Sequence, residues 1–140
     1  MQRHVRGVSH KAQSFQLLIL QNIAGGVKVL KQEYPRMITS LPEAHIEFKG
    51  VKGWISQGTD HQIVFFEMEP LGKASEHSHE SPQWGIVVEG KMELTIGGRT
   101  KIYEKGDEYF IPAHTKHSAK FLTRVRAIDF FAEKARYKPK

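Results

Sequence analysis

An all-β fold, barrel or sandwich, is what the sequence predicts beyond Pro42, and three observations carry that prediction. Short β-branched and aromatic runs recur there, separated by turn-forming residues, which is the rhythm of a multi-stranded β domain. Lys91 to Ile96 alternates charged or polar residues with Met92, Leu94 and Ile96, the period-2 pattern of a half-buried strand. Gly97-Gly98 then supplies the positive φ of a tight hairpin before Arg99 to Tyr103 returns.

In chain order, strands are expected over residues 44–49, 53–57, 61–69, 84–89, 91–97, 99–103, 108–111, 117–122 and 125–131. Gly106-Asp107 makes a further turn, and Pro112 closes the strand that follows it. Ahead of Pro42 the pattern differs. Phe15, Leu18, Ile19, Ile23, Val27 and Leu30 fall at helical spacing, but Gly25-Gly26 interrupts them, so this is a weak amphipathic helix at best. No internal repeat or low-complexity tract is visible.

A chain of 140 residues, 39% of them hydrophobic, is long enough for one domain with a proper core and too short for two. The longest uninterrupted apolar run, Leu17 to Leu20, is far below the roughly 18 residues of a spanning helix. The absence of cysteine excludes disulfides, thiolate nucleophiles, zinc fingers and iron–sulfur clusters. A soluble, cytoplasmic protein is expected, in which any metal is held by His, carboxylate or amide groups.

The net charge of +6 invites nucleic acid or an acidic surface as partner. Its distribution argues otherwise. Residues 1–36 carry six cations and one acid, whereas residues 37–140 carry 15 cations against 14 acids. The expected barrel, residues 37–140, therefore lacks a basic field for nucleic acid. The cations Lys134, Arg136, Lys138 and Lys140 read as a solvated tail. For the basic extension, residues 1–36, three readings stand: a helix for an anionic partner, a targeting peptide, or an upstream extension of the reading frame with Met37 as the natural start. Gln32-Glu33 lies four codons before Met37, and its common codons can spell a purine-rich ribosome-binding sequence.

Eight histidines are unevenly placed. His4, His10, His45 and His61 are isolated, and four fall in two clusters, His77/His79 and His114/His117. Two residues apart in an expected strand, His77 and His79 point to one face. Two converging imidazoles with nothing to bind are poorly solvated and repel when protonated, and a divalent metal removes both problems.

Gly72 to Gly90, GKASEHSHESPQWGIVVEG, resembles the first motif of the cupin superfamily, and Gly106 to His117, GDEYFIPAHTKH, resembles the second. The resemblance covers about residues 45–131 and is to small single-domain bacterial cupins. It implies a double-stranded β-helix, or jelly-roll, barrel, often a homodimer, with one divalent transition metal (Zn, Ni, Mn, Fe or Cu). The implied ligands are His77, His79, Gln83 and His117. Three positions depart from the pattern: Gln83 replaces the usual Glu, His114 the usual Gly and Lys120 the usual Asn. Three imidazoles and an amide leave the ion's charge uncompensated, which favours an anionic or polyhydroxyl ligand. Glu80 falls on the opposite strand face from the two histidines, and His114 reads as a turn residue.

A looser resemblance is to pectin-degradation cupins that linearise cyclic unsaturated uronates. In that group a strand after the second motif carries an Asp, a Phe two residues on and a nearby Arg implicated in substrate handling. Here Asp129 and Phe131 fit, while Arg136 is displaced by one and is not carried over. For Phe65, Phe66, Phe121, Phe130 and Phe131 a core role is expected, and Trp84 and Tyr109 are candidate walls of the site. The resemblance implies a metal-assisted lyase or isomerase of a small sugar acid, with Asp129 as the catalytic proton shuttle. Two alternatives stand beside it: a metal-dependent dioxygenase of a small chelating substrate, and a non-catalytic small-molecule-binding cupin.

Overall fold

The computed structural model describes residues 21–23, 26–28 and 33–140. The chain divides into two compact units, Met1–Glu33 and Tyr34–Lys140. In the first, β1 (Gln21–Ile23) pairs antiparallel with β2 (Gly26–Lys28). Strand thus replaces the expected helix at these positions. β-Branched Ile23 and Val27 suit extended backbone, and Gly26 is a poor helix former. The remainder of that helix, with His4 and His10, lies outside the described residues.

The second unit opens on a one-turn helix, α1 (Arg36–Thr39), which the sequence pattern did not signal. Nine strands follow: β3 (Val51–Gln57), β4 (Gln62–Met68), β5 (Lys73–His77), β6 (Gln83–Glu89), β7 (Lys91–Ile96), β8 (Arg99–Glu104), β9 (Glu108–Ile111), β10 (His117–Phe121) and β11 (Val125–Phe131). They form two antiparallel sheets, ordered β5-β10-β7-β8 and β3-β4-β11-β6-β9. Alternation drives the assembly. Gln62, Val64, Phe66 and Met68 of β4 are buried, as are Val125, Ala127, Asp129 and Phe131 of β11, so both strands turn one full face inward. The core holds Val64, Phe66, Val87, Leu94, Ile111 and Phe131 among others. The β7–β8 hairpin turns at Gly97 and Gly98, both at positive φ, as expected.

Several expectations need correction. No strand spans 44–49: Glu43 and Ala44 make only isolated bridges, to Trp54 and Pro139. The strand expected at His77 and His79 is β5, which ends at His77 and so leaves His79 outside it; Lys-Ala-Ser-Glu-His lacks apolar alternation, and pairing with β10 holds it in place. The barrel unit begins upstream of Met37. Tyr34 is buried, its hydroxyl donates to the Ala127 carbonyl at 3.0 Å, and its ring meets Trp54 and Phe65 edge-on at 6.1 and 5.8 Å. Phe66, Phe121 and Phe131 are core residues, whereas Phe130 and Trp84 are partly exposed.

The C-terminal cations do not form a solvated tail. Lys138 O accepts from His45 N at 2.7 Å, Lys140 N donates to Glu43 O at 2.9 Å, and Lys140 Nζ pairs with Glu43 at 2.6 Å. Gln62 brackets Tyr137, its amide donating to Tyr137 O and its carbonyl accepting from Tyr137 N, both at 2.9 Å. The terminal segment is therefore docked along the β3–β4 side of the barrel. Among the described residues, no helix is long and apolar enough to cross a membrane.

Candidate metal centre

β5 and β10 bring two of the histidines together, because His77 and His117 sit directly opposite one another in the antiparallel register. Their ring centroids are 4.2 Å apart. His79 lies two residues beyond the end of β5, so strand parity does not aim it. A loop does: His79 O accepts from His114 N at 2.8 Å, and the His79 ring bonds to the Ser81 carbonyl. His114 adopts φ +61, the left-handed conformation a glycine would take without strain, and is exposed, so it shapes the loop rather than the ligand set.

Ligand nitrogens of His77, His79 and His117 all lie within 4.8 Å of one another. Their tautomers are set by backbone carbonyls. Nδ1 of His77 lies 2.7 Å from Ser75 O, Nδ1 of His79 lies 2.7 Å from Ser81 O, and Nδ1 of His117 lies 2.8 Å from Thr115 O. A carbonyl only accepts, so each Nδ1 carries the proton and each Nε2 presents a lone pair. Burial lowers the pKa of His77, and that of His117 to about 4. The Ser75 and Thr115 carbonyls oppose this, while neighbouring histidines and Arg136 add to it. Neutral imidazoles with aligned lone pairs are what a divalent metal takes.

Gln83 supplies the fit test. It opens β6 and is buried on the inner face, and its Oε1 lies 2.9 Å from His79 Nε2. With His79 protonated on Nδ1, two lone-pair bearers face each other, an arrangement that a cation between them makes favourable. The donor set therefore fits a divalent ion held by His77, His79, His117 and Gln83. Glu80 is exposed and takes no part in the cluster.

Behind Gln83 stands Asp129, buried on β11. Gln83 Nε2 donates to its Oδ2, and the Tyr109 hydroxyl donates to its Oδ1 at 2.6 Å. Donation to a carboxylate fixes the amide's orientation, turning Oε1 toward the histidines. Burial raises the Asp129 pKa to about 7, and the two donors resist the rise. Gly85 makes this contact possible. Tyr109, Gly85 and Asp129 lie in one row across β9, β6 and β11, and the Tyr109 ring covers Gly85, where a Cβ would stand 2.3 Å from its Cζ. Tyr109 thus lines the site, whereas Trp84 is on the opposite, outward side of β6 and is no wall of it.

These groups border a cavity of about 70 Å³ lined by His77, His117, Gln83, Asp129 and Tyr137 together with apolar residues that include Met68, Met92 and Leu94. Phe131 meets His79 edge-on at 5.9 Å. Sequence reasoning missed Arg136 as a neighbour of this site. Its guanidinium lies 4.7 Å from the Tyr137 ring centroid and 5.9 Å from that of Phe131, and its charge acts on both His77 and His117. An offset in sequence hid it, because the segment after β11 is irregular and fixed by docking. Tyr109 carried a readable signal: a glycine on the facing strand marks a close approach.

Residues 64–131 match the family model described as a cupin domain. An RmlC-like cupin from Shewanella frigidimarina NCIMB 400 superposes with a TM-score of 0.63 at 26% identity, over 70% of this chain and 87% of that one. KdgF from Halomonas sp. superposes with a TM-score of 0.60 at 28% identity, over 65% of this chain and 86% of that one. H2HPP isomerase from Bacillus subtilis is 30% identical over 89 residues, which is 61% of this chain and 38% of that protein, so the chain spans well under half the length of that relative. With two antiparallel sheets, a histidine triad at the β5–β10 junction and both motifs inside the matched span, the chain is a small cupin and belongs to the cupin family.

Proposed function

We propose that this cupin is a metal-dependent isomerase or lyase acting on a small, oxygen-rich anionic substrate, with a small sugar acid as the first class to test. The observation that carries the proposal is the convergence of three Nε2 lone pairs with Gln83 Oε1, backed by a buried carboxylate on the same wall. Similarity to KdgF and to H2HPP isomerase supports it.

A bound divalent metal would supply Lewis-acid polarisation of a substrate carbonyl or hemiacetal oxygen. The chain's own residues do the rest. Asp129 holds and releases the proton, and a pKa raised to about 7 by burial keeps both of its forms populated near neutrality, where general acid–base transfer is most effective. Gln83 and Tyr109 occupy one lone pair on each Asp129 oxygen and fix the carboxyl plane, leaving the other lone pairs for substrate. Arg136 adds positive potential beside the histidines and attracts an anion into the cavity.

The test is elemental analysis of protein purified without added metal, followed by NMR of that protein mixed with unsaturated uronates and with other small sugar acids. A bound transition metal and conversion of one substrate without oxygen uptake are expected. Oxygen consumption with a chelating substrate would favour the dioxygenase alternative. Binding without turnover across the panel would favour a binding module.

A further inference from the structure

We infer that Tyr137 is a substrate-binding residue, its phenol donating a hydrogen bond to an oxygen of the anion held at the histidine triad; this rests on the reading of the site proposed above.

Three buried or partly buried tyrosines approach this side of the barrel, and two are satisfied. Tyr34 donates to Ala127 O and Tyr109 donates to Asp129. The Tyr137 hydroxyl has no hydrogen-bond partner among the described residues, although the residue lines the cavity beside Gln83 and Asp129. The residue is only partly buried, so its hydroxyl is a free donor on a cavity-lining residue, available to a ligand oxygen.

The placement of the ring is not loose. Phe66 and Phe131 meet it edge-on at 5.8 and 5.6 Å, and Arg136 lies across its face. Its backbone is clamped from both sides by Gln62, which pairs in register with Phe131, itself opposite Gln83. One chain of contacts therefore runs from Tyr137 through Phe131 to the residue that faces His79. Burial pushes the phenol up to about 12, with Arg136 opposing the rise and Asp129 adding to it, so it stays a donor throughout the neutral range. A fixed, protonated and unsatisfied donor beside a candidate general acid–base suits an oxygen that gains negative charge.

Tyr137→Phe keeps the ring contacts and removes the donor. The experiment is calorimetric titration of zinc-loaded full-length protein, wild type and Tyr137→Phe, with D-galacturonate and with pyruvate. Zinc affinity by chelator competition and Tm are measured on the same samples. Loss of one hydrogen bond predicts an affinity for the bound probe weaker by about 5- to 10-fold, with zinc affinity and Tm unchanged. Equal probe affinity in the two proteins overturns the inference and leaves the proposed function standing. If neither probe binds wild-type protein, the anion site itself fails and the inference fails with it. A fall in zinc affinity or in Tm of several degrees would assign Tyr137 to the framework instead.

Discussion

His77 and His117 reach the cavity from directly paired strands, whereas Tyr137, with Arg136 packed against its ring, reaches it from a segment that pairs with no sheet over its own length. The first pair is placed by ladder register, which fixes each Cα against its partner and each side chain to one face. The second pair is placed by discrete bonds: Gln62 to the Tyr137 backbone, Gln57 to Lys134 O at 2.9 Å, and His45 N to Lys138 O. The difference teaches how this barrel divides its labour. Paired strands place two of the three clustered histidines, and the docked terminus places the residues that the proposed function would turn toward substrate.

The largest expected effect lies on the strand side. His117→Ala removes a ligand and should lower metal affinity by more than the about 10- to 100-fold that loss of an outer-shell partner costs, read as metal content after dialysis. Unchanged occupancy would refute the ligand set. Asp129→Asn comes next. Turnover should fall to background while metal stays bound, and retained activity would remove Asp129 from the mechanism.

The same variant has a pH signature in metal-free protein. Burial raises the folded-state pKa of Asp129 to about 7 from 3.8, so the folded state keeps a proton that the unfolded chain releases between those values. The wild type therefore loses stability as pH rises through that window. The Asn variant has no such loss, and its Tm relative to wild type should climb between about pH 4 and pH 7 and then level off. A difference that stays flat with pH would contradict the buried carboxyl.

A smaller loss is expected from Gly85→Ala, which drives a methyl into the Tyr109 ring and breaks its hydrogen bond to Asp129. Overpacking of this kind costs about 1–3 kcal/mol, measurable by urea denaturation. Smallest of all is His114→Gly, which relieves a left-handed backbone at φ +61 and should stabilise by about 0.5–1 kcal/mol, read as a modest rise in Tm with metal content unchanged.

Legibility in the sequence follows the same division. Strands 108–111 and 125–131 match their expected bounds, and most others do so to within a residue or two, because each alternates cleanly or ends at glycine or proline. The four candidate ligands came from the resemblance of the two motifs and Asp129 from the looser one; the fold brings His77, His79 and His117 together and sets Gln83 and Asp129 beside them. Residues 44–49 failed as a strand because apolar Ile46 and Phe48 serve packing and the aromatic contact with His77 at 5.2 Å, not a ladder. Arg136 and Tyr137 were illegible for a different reason. Their positions depend on a glutamine 75 residues away, and no local periodicity encodes that clamp. Nor did spacing show that Asp129 would bond the very amide that replaces the usual glutamate, placing negative charge one step behind the ligand set.

Metal content tests the central claim most directly. The full chain, purified without added metal and then equilibrated with zinc, nickel, manganese or iron(II) and desalted, should carry one divalent ion per chain with at least one of these metals, and His117→Ala should carry none. A wild-type protein that retains no ion from any of the four would contradict the account.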